Sequence, residues 1–170
     1  MSTDVRVAPS DDARVIAEIH VASWQEGYQR QLPDSYLKSM SADARETRWA
    51  QALRDGAVVL LAEQAGKPAG FVAYGPCRDD DAPAACGEIY ALYVDPHAST
   101  GAGQQLHDGA LAALTADGST VVTLWVLTSN DRARRFYSQR GWQLDGATKI
   151  VELDAVTLSE VRYKRTLETE

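Results

Sequence analysis

The chain has 170 residues, 45% hydrophobic and 24% charged, with a formal net charge of -7 at pH 7. That length fits one domain, 1–170, with room for a real core. The negative sign excludes a general nucleic-acid binder, which needs a basic surface, and would attract a cationic amine or basic peptide.

In chain order, Val5 to Ala8 reads as a short first strand, and Ser10-Asp11-Asp12 supplies capping residues for a helix. Ile16, Ile19, His20, Ser23 and Trp24 fall on one face of that helix, with Gly27 near its end. A second helical piece follows Pro33-Asp34. A third runs from about Ser41 to Arg54, with Trp49 and Leu53 on one face and Asp55-Gly56 as its stop. Ala57 to Gln64 and Ala69 to Tyr74 read as a strand pair joined by a turn at Ala65-Gly66-Lys67-Pro68. An Asp-rich loop leads to a strand over Gly87 to Asp95, which Pro96 ends. A Gly-containing loop then opens a helix from about Gly101 to Ala116. Thr120 to Leu127 is a buried strand, and Asp131 to Arg140 is a helix stopped by Gly141. The last strands run from about Trp142 to Leu153 and Leu158 to Thr166, with a turn at Asp154. Hairpins mixed with strand-loop-helix-strand units predict a mixed α/β sheet flanked by helices.

Cys77 and Cys86 flank Arg78-Asp79-Asp80-Asp81. So low a cysteine count favours free thiols over a disulfide closing that loop. Two cysteines with no histidine cluster beside them make no zinc site, and no metal is expected. Met1-Ser2-Thr3-Asp4 lacks a basic region followed by an apolar run, so no signal peptide is expected. No apolar run approaches membrane-spanning length. The expectation is a cytoplasmic protein with no membrane or nucleic-acid partner.

Val94 to Leu106 is the most informative stretch. A strand ends, a loop carries Gly101 and Gly103, and a helix begins. Free N–H groups at a helix N-terminus, together with the helix dipole, favour an anion. Glycines let the backbone approach a pyrophosphate closely. The same fragment alone is also an ordinary tight turn. It is not a Walker loop, since no Gly-Lys-Ser/Thr follows, and Leu106 breaks the dinucleotide fingerprint.

Tyr93-Val94-Asp95-Pro96, Gly101-Ala102-Gly103, Thr123-Leu124-Trp125-Val126, Asn130, Ala133, Phe136-Tyr137 and Gly141-Trp142 occur in that order. Together they resemble the GNAT superfamily of N-acetyltransferases, of the bacterial GCN5-related kind. Trp24, Tyr28, Leu32-Pro33 and Trp49 extend the resemblance toward the N-terminus. It implies a mostly antiparallel central sheet of six to seven strands flanked by about four to five helices. It also implies acetyl-CoA as co-substrate. Backbone groups of Leu92, Tyr93 and Val94 would bond pantetheine. Ala98, Ser99, Thr100, Gly101, Ala102, Gly103 and Gln104 would cradle the pyrophosphate. Asn130 would bond the pantetheine arm, with Ala133 beside it. The loop departs from the family pattern, because Ala98 stands where relatives carry Arg or Gln and Thr100 and Gln104 are uncharged. Arg132, Arg134 and Arg135 would offset the lost charge or form a solvated helix face.

Transfer to an amine requires a neutral nucleophile, a stabilised oxyanion and a protonated leaving sulfur. The resemblance puts Tyr137 at the sulfur as general acid, a phenol suited to a departing thiolate. It puts Glu88 at the place of a base acting through water, and the Val94 N–H at the oxyanion. Core packing for Tyr137 and a solvated strand end for Glu88 are the bland alternatives. Ribosomal-protein N-terminal acetyltransferases carry their glutamate one strand later, where this chain has Trp125. Trp24, Tyr28 and Tyr90 are candidates to bind the acceptor, with Tyr36 and Tyr74 as further aromatic walls. Asp79 to Asp81 would draw a cation or form a solvated loop. The acceptor is a small-molecule or peptide amine: small amines, amino acids, antibiotics, polyamines and peptide N-termini all fit. A homodimer through the last strands is compatible with the resemblance. The rival reading is a non-catalytic acyl-CoA-binding or regulatory module. A third is a nucleotide-binding fold of other chemistry.

Overall fold

The computed structural model describes residues 2–153 and 156–168. The expected turn at Asp154 lies outside the described residues. Seven strands and five α-helices are present among those described, which makes the class mixed α/β with mostly antiparallel pairing. Two compact units divide the chain: Met1–Gly75 with Ile89–Ala113, and Pro76–Glu88 with Leu114–Glu170. No helix among the described residues is long and apolar enough to cross a membrane.

In the first unit β1 (Thr3–Val7), β2 (Val58–Gln64) and β3 (Lys67–Pro76) pair antiparallel in that order. Ser10–Asp12 forms a single 3₁₀ turn before α1 (Ala13–Gly27), and no side chain caps α1. The expected cap fails because Arg6 takes the Asp12 carboxylate at 2.7 Å. The third helix behaves as read: Ser41 Oγ accepts from Ala44 N–H at 3.2 Å and opens α3 (Ala42–Arg54), a cap worth about 1 kcal/mol. Between them lies α2 (Asp34–Ser39).

The β2–β3 turn is shorter than the sequence indicated. Ala65 and Gly66 both take positive φ, 51° and 76°, the two-residue turn whose twist matches a hairpin. Lys67 and Pro68 therefore belong to β3, and a bulge at Ala62/Glu63 admits the proline, which has no N–H to donate. Ile16, Ile19, Val59, Leu61 and Phe71 fill the core of this unit.

β4 (Cys86–Val94) runs beside β3 at its Ile89–Val94 end, and α4 (Ala102–Ala116) follows. A Cβ added to Gly70 would stand 2.9 Å from the Tyr93 carbonyl oxygen and 3.0 Å from Leu106 Cδ1. Glycine at this position lets the β4 backbone and α4 close on β3 together.

In the second unit β5 (Val121–Leu127), β7 (Val156–Thr166) and β6 (Gln143–Leu153) pair antiparallel in the order β5-β7-β6. α5 (Asp131–Ser138) ends two residues before the predicted Arg140, and Gly141 at φ +86° turns the chain toward β6.

Candidate active site

The loop between β4 and α4 is held by a residue the sequence did not single out. Gln64, buried, accepts from Ser99 N–H at 2.9 Å through Oε1, and its Nε2 donates to Ser99 O and Thr3 Oγ1, both at 3.1 Å. Asp95 shapes the approach, accepting from His97 N–H through Oδ1 at 2.8 Å and from Ala98 N–H through its carbonyl at 3.0 Å. Gly101 at φ +105° then turns the chain into α4. Ala102 is buried, and the N–H groups of Ala102 and Gly103 open the helix with no carbonyl one turn back inside it. Ser99, Thr100 and Gly101 are exposed around this end, while Ala98, Gly103 and Gln104 are half-buried. Gln104 donates to both oxygens of Asp108 within α4. The loop therefore offers a helix N-terminus and two hydroxyls, with no cation of its own, to an anion. Leu92, Tyr93 and Val94 precede it on β4, all half-buried.

Aromatic residues crowd the facing side of α1. His20 stacks on Tyr93 at 5.0 Å between centroids and 24° between planes. Trp24 meets Tyr28 edge-on at 4.8 Å and Tyr93 at 6.0 Å. Trp49 of α3 packs edge-on against Phe71 at 5.2 Å and donates its indole N–H to His20 Nδ1 at 3.2 Å. Tyr90 lies across Gly75, where an added Cβ would meet its hydroxyl at 2.6 Å. The three acceptor candidates Trp24, Tyr28 and Tyr90 thus belong to one unit, and Trp24 and Tyr28 touch.

Glu88 lies in the second unit and is 2% exposed, so the solvated strand-end alternative fails. Both its oxygens are engaged: Oε1 accepts from Arg78 N–H at 2.9 Å, and Oε2 from Arg78 Nη2 at 2.9 Å. Asp79 and Asp81 are not a merely solvated run. Arg162 binds Asp79 at 3.1 Å, Asp81 at 2.7 Å and Asp145 at 2.6 Å, while Trp125 donates its indole N–H to both Asp79 oxygens. Trp125 of β5 therefore faces a carboxylate supplied by the loop. Arg162 holds the Asp81 carboxyl below its ordinary range.

Ligand atoms of Cys77, Asp79 and Glu88 lie within 4.8 Å of one another. Arg78 occupies Glu88, and Trp125 and Arg162 occupy Asp79, so a metal ion would have to displace donors already in place. Cys77 and Cys86 carry free thiols and are linked by the Cys77 N–H to Cys86 O bond at 3.0 Å. Burial first, then Cys77, pushes the Cys86 thiol up to about 12, which makes it a poor nucleophile. A cavity of about 260 Å³ opens in this unit, lined by Cys77, Asp81, Thr123, Asp145, Arg162 and Lys164 among others. None of the expected site residues lines it.

Tyr137 is 7% exposed and packs against Phe136, Trp142 and Tyr163 at 5.3, 5.6 and 6.3 Å between centroids. Asn130 caps α5, its Oδ1 accepting from Ala133 N–H at 3.1 Å. This spends one amide end on the helix rather than on a ligand. Arg134 donates to Thr128 O at 2.9 Å and to the Tyr163 hydroxyl at 3.1 Å, partners that would compete with a phosphate. Arg132 and Arg135 are exposed.

A model of the acetyltransferase (GNAT) family matches residues 16–142. The chain belongs to the GNAT family. An uncharacterized N-acetyltransferase from Bacillus subtilis is 31% identical over 127 residues, 74% of this chain and 72% of that protein. A probable N-acetyltransferase from Mycobacterium tuberculosis is 30% identical over 166 residues, 94% of this chain and 91% of that one. Among solved structures, PaiA N-acetyltransferase from Thermoplasma acidophilum in complex with coenzyme A aligns with a TM-score of 0.72. It is 19% identical and covers 98% of this chain and 99% of that one. A putative acetyltransferase from Salmonella typhimurium with its cofactor acetyl-CoA has a TM-score of 0.72 at 20% identity, covering 100% and 96%. These likenesses show the fold, and the family and the named relatives make this chain an N-acetyltransferase-type acyltransferase.

Within this GNAT chain, three functional supports escaped the sequence reading. Gln64 gave only the signal of a polar residue closing an apolar strand. Arg78 gave none, because its bond to Glu88 spans the loop from β3 to β4. Arg162 sits in an alternating strand and reads as a surface cation until β7 pairs with β5.

Proposed function

We propose that the protein transfers an acetyl group from acetyl-CoA to a primary amine by direct attack in a ternary complex. On this reading 1–170 is one catalytic domain working in the cytoplasm, on a small-molecule or peptide amine, without nucleic acid or membrane. The observation that carries it is the Gln64-braced loop ending on the α4 N-terminus, in a chain of this family. Neutral backbone donors there would receive the pyrophosphate, and the β4 backbone at Leu92 to Val94 would lie along pantetheine.

The amine lone pair attacks the thioester carbonyl carbon, and the Val94 N–H stabilises the oxyanion. The carbon–sulfur bond breaks, and Tyr137 gives its phenolic proton to the departing sulfur. The amine proton goes to Glu88 or to water. Both Glu88 oxygens are bonded to Arg78. With both oxygens already accepting, that arrangement favours a relay in which water takes the proton from the amine. Tyr137 and Glu88 are the catalytic residues of this reading. Asn130, Ala133 and Arg132 are its cofactor contacts from α5.

A thermal-shift titration with CoA and acetyl-CoA, with ATP and NAD as controls, tests the cofactor half. Ligand at a hundredfold its Kd stabilises by about 2.7 kcal/mol. Release of CoA thiol with a panel of amines tests the transfer half. CoA binding with no transfer to any amine would return the binding-module reading. Protection by ATP or NAD over CoA would remove the proposal.

A further inference from the structure

The aromatic cluster on α1 contains two buried donors with nothing to donate to. His20 is 8% exposed, and its Nδ1 receives the Trp49 indole N–H at 3.2 Å. An indole nitrogen only donates, so Nδ1 holds a lone pair and the neutral ring carries its proton on Nε2. Burial, then Arg45 and Arg48, push the His20 pKa down to about 3, which keeps that tautomer in place. His20 is therefore a donor and not a base. Its Nε2–H is buried without a partner among the described residues, and so is the indole N–H of Trp24 one turn along the helix. The two rings are 5.5 Å apart. Buried N–H groups are seldom left unsatisfied, and a pair of them in one cluster points to a missing acceptor.

The charge around them says what kind of acceptor. Arg45 lies with its guanidinium carbon 6.0 Å from the Trp24 ring centroid, and Arg48 is close enough to His20 to disfavour its protonation. Among the described residues neither arginine forms an ion pair, whereas Arg14 on the same pair of helices holds Glu18, Asp43 and Glu46. A water molecule or amide carbonyl would satisfy the donors and leave both guanidinium groups unmatched. A carboxylate does both: two oxygens accept from two N–H groups, and its charge answers the arginines.

We propose that His20 Nε2–H and Trp24 Nε1–H, with Arg45 and Arg48 beside them, bind the carboxylate of the acceptor, which is then a free amino acid or a close amino-acid analogue. This rests on the acetyl-transfer reading above and narrows its acceptor. Tyr93, on which His20 stacks, is the residue whose backbone that reading sets along pantetheine. Tyr93 thus links this pair of donors to the strand that the acetyl-transfer reading sets along the cofactor.

The test uses full-length ¹⁵N-labelled protein with CoA present and a panel of free amino acids, each with its carboxamide and its decarboxylated amine. The Trp24 indole resonance is assigned by its loss in Trp24→Phe. At least one acid should give a saturable downfield shift of that resonance, with its amide and decarboxylated partner binding at least tenfold more weakly. In the transfer assay kcat/KM should favour the same acid by at least tenfold, and Trp24→Phe and Arg45→Gln should each erase most of that preference. A resonance that no acid moves, or that amines without a carboxylate move as well, overturns the site and leaves a buried water as its occupant. Saturable binding of an acid without acetyl transfer would keep the carboxylate site and sink the transferase reading. Transfer that ignores the carboxylate would do the reverse.

Discussion

Gln64 brackets the backbone of Ser99, accepting from its N–H at 2.9 Å and donating to its carbonyl at 3.1 Å. One buried side chain at the end of β2 thereby sets the loop to which the proposed function gives the pyrophosphate. Gln64→Ala removes both bonds, each worth about 1 kcal/mol, and frees the loop to wander. We expect the KM for acetyl-CoA to rise about tenfold with kcat nearly unchanged, since on the proposed function the loop holds the cofactor and not the reacting atoms. A fall in kcat at unchanged KM would show that the brace serves the chemistry instead.

Tyr137→Phe tests the general acid with little structural disturbance. The ring keeps its packing against Phe136, Trp142 and Tyr163, and only the hydroxyl is lost. Turnover at saturating substrates should drop on the order of 10²–10⁴-fold, with CoA binding retained in a thermal-shift assay. An unchanged rate would assign the residue to the core.

Gly70 is the point where β3 meets the β4 backbone at Tyr93 and the α4 side chain Leu106. In Gly70→Ala the new methyl would press on a carbonyl oxygen at 2.9 Å, which is backbone and cannot rotate away. Denaturant unfolding should show a loss of about 1–3 kcal/mol, and acetyl-CoA affinity should fall with it. Full stability would mean that β4 can move outward freely.

How much of this was legible in the sequence depends on the range of each interaction. The strand, loop and helix around Gly101 follow from local rules, as does the turn at Ala65-Gly66. The cap at Ser10–Asp12 was misread because Arg6, brought near by β1, competes for Asp12. Asp79 and Asp81 looked like a solvated run, since their partner Arg162 lies about eighty residues away. Glu88 was placed on the right strand, but no periodicity announces that Arg78 closes over it. Asn130 was read only as a pantetheine contact, and its oxygen also opens α5, an equally local role that the reading did not weigh.

His20 makes a pH prediction with a definite sign. Its folded pKa, about 3, lies below the ordinary 6.5 because burial penalises the imidazolium. The unfolded chain thus binds a proton that the folded chain refuses between those values. Its contribution is intact above pH 6.5 and is lost as pH falls toward 3. Between pH 7 and pH 5 the loss should be about 2 kcal/mol from this group. Urea denaturation of wild type and His20→Asn at both pH values isolates it, since the carboxylates are common to both proteins. Parallel losses in the two would show that the ring is protonated when folded.

Arg162 is the counterion for three carboxylates, and its own side chain is 12% exposed against 18% for Asp79 and 16% for Asp145. Arg162→Met keeps much of the side-chain bulk on β7 but leaves those charges facing each other with no cation between them. Removing one side of a buried pair costs more than the pair itself contributes, on the order of 3 kcal/mol. Lysine should rescue only part of this, because one ammonium cannot match the separate directions in which the guanidinium meets Asp79, Asp81 and Asp145. The Trp125 indole donates to Asp79 in the same network, so its fluorescence should change in Arg162→Met before global unfolding. The same spectrum and stability in wild type and Arg162→Met would show that the network does not depend on Arg162.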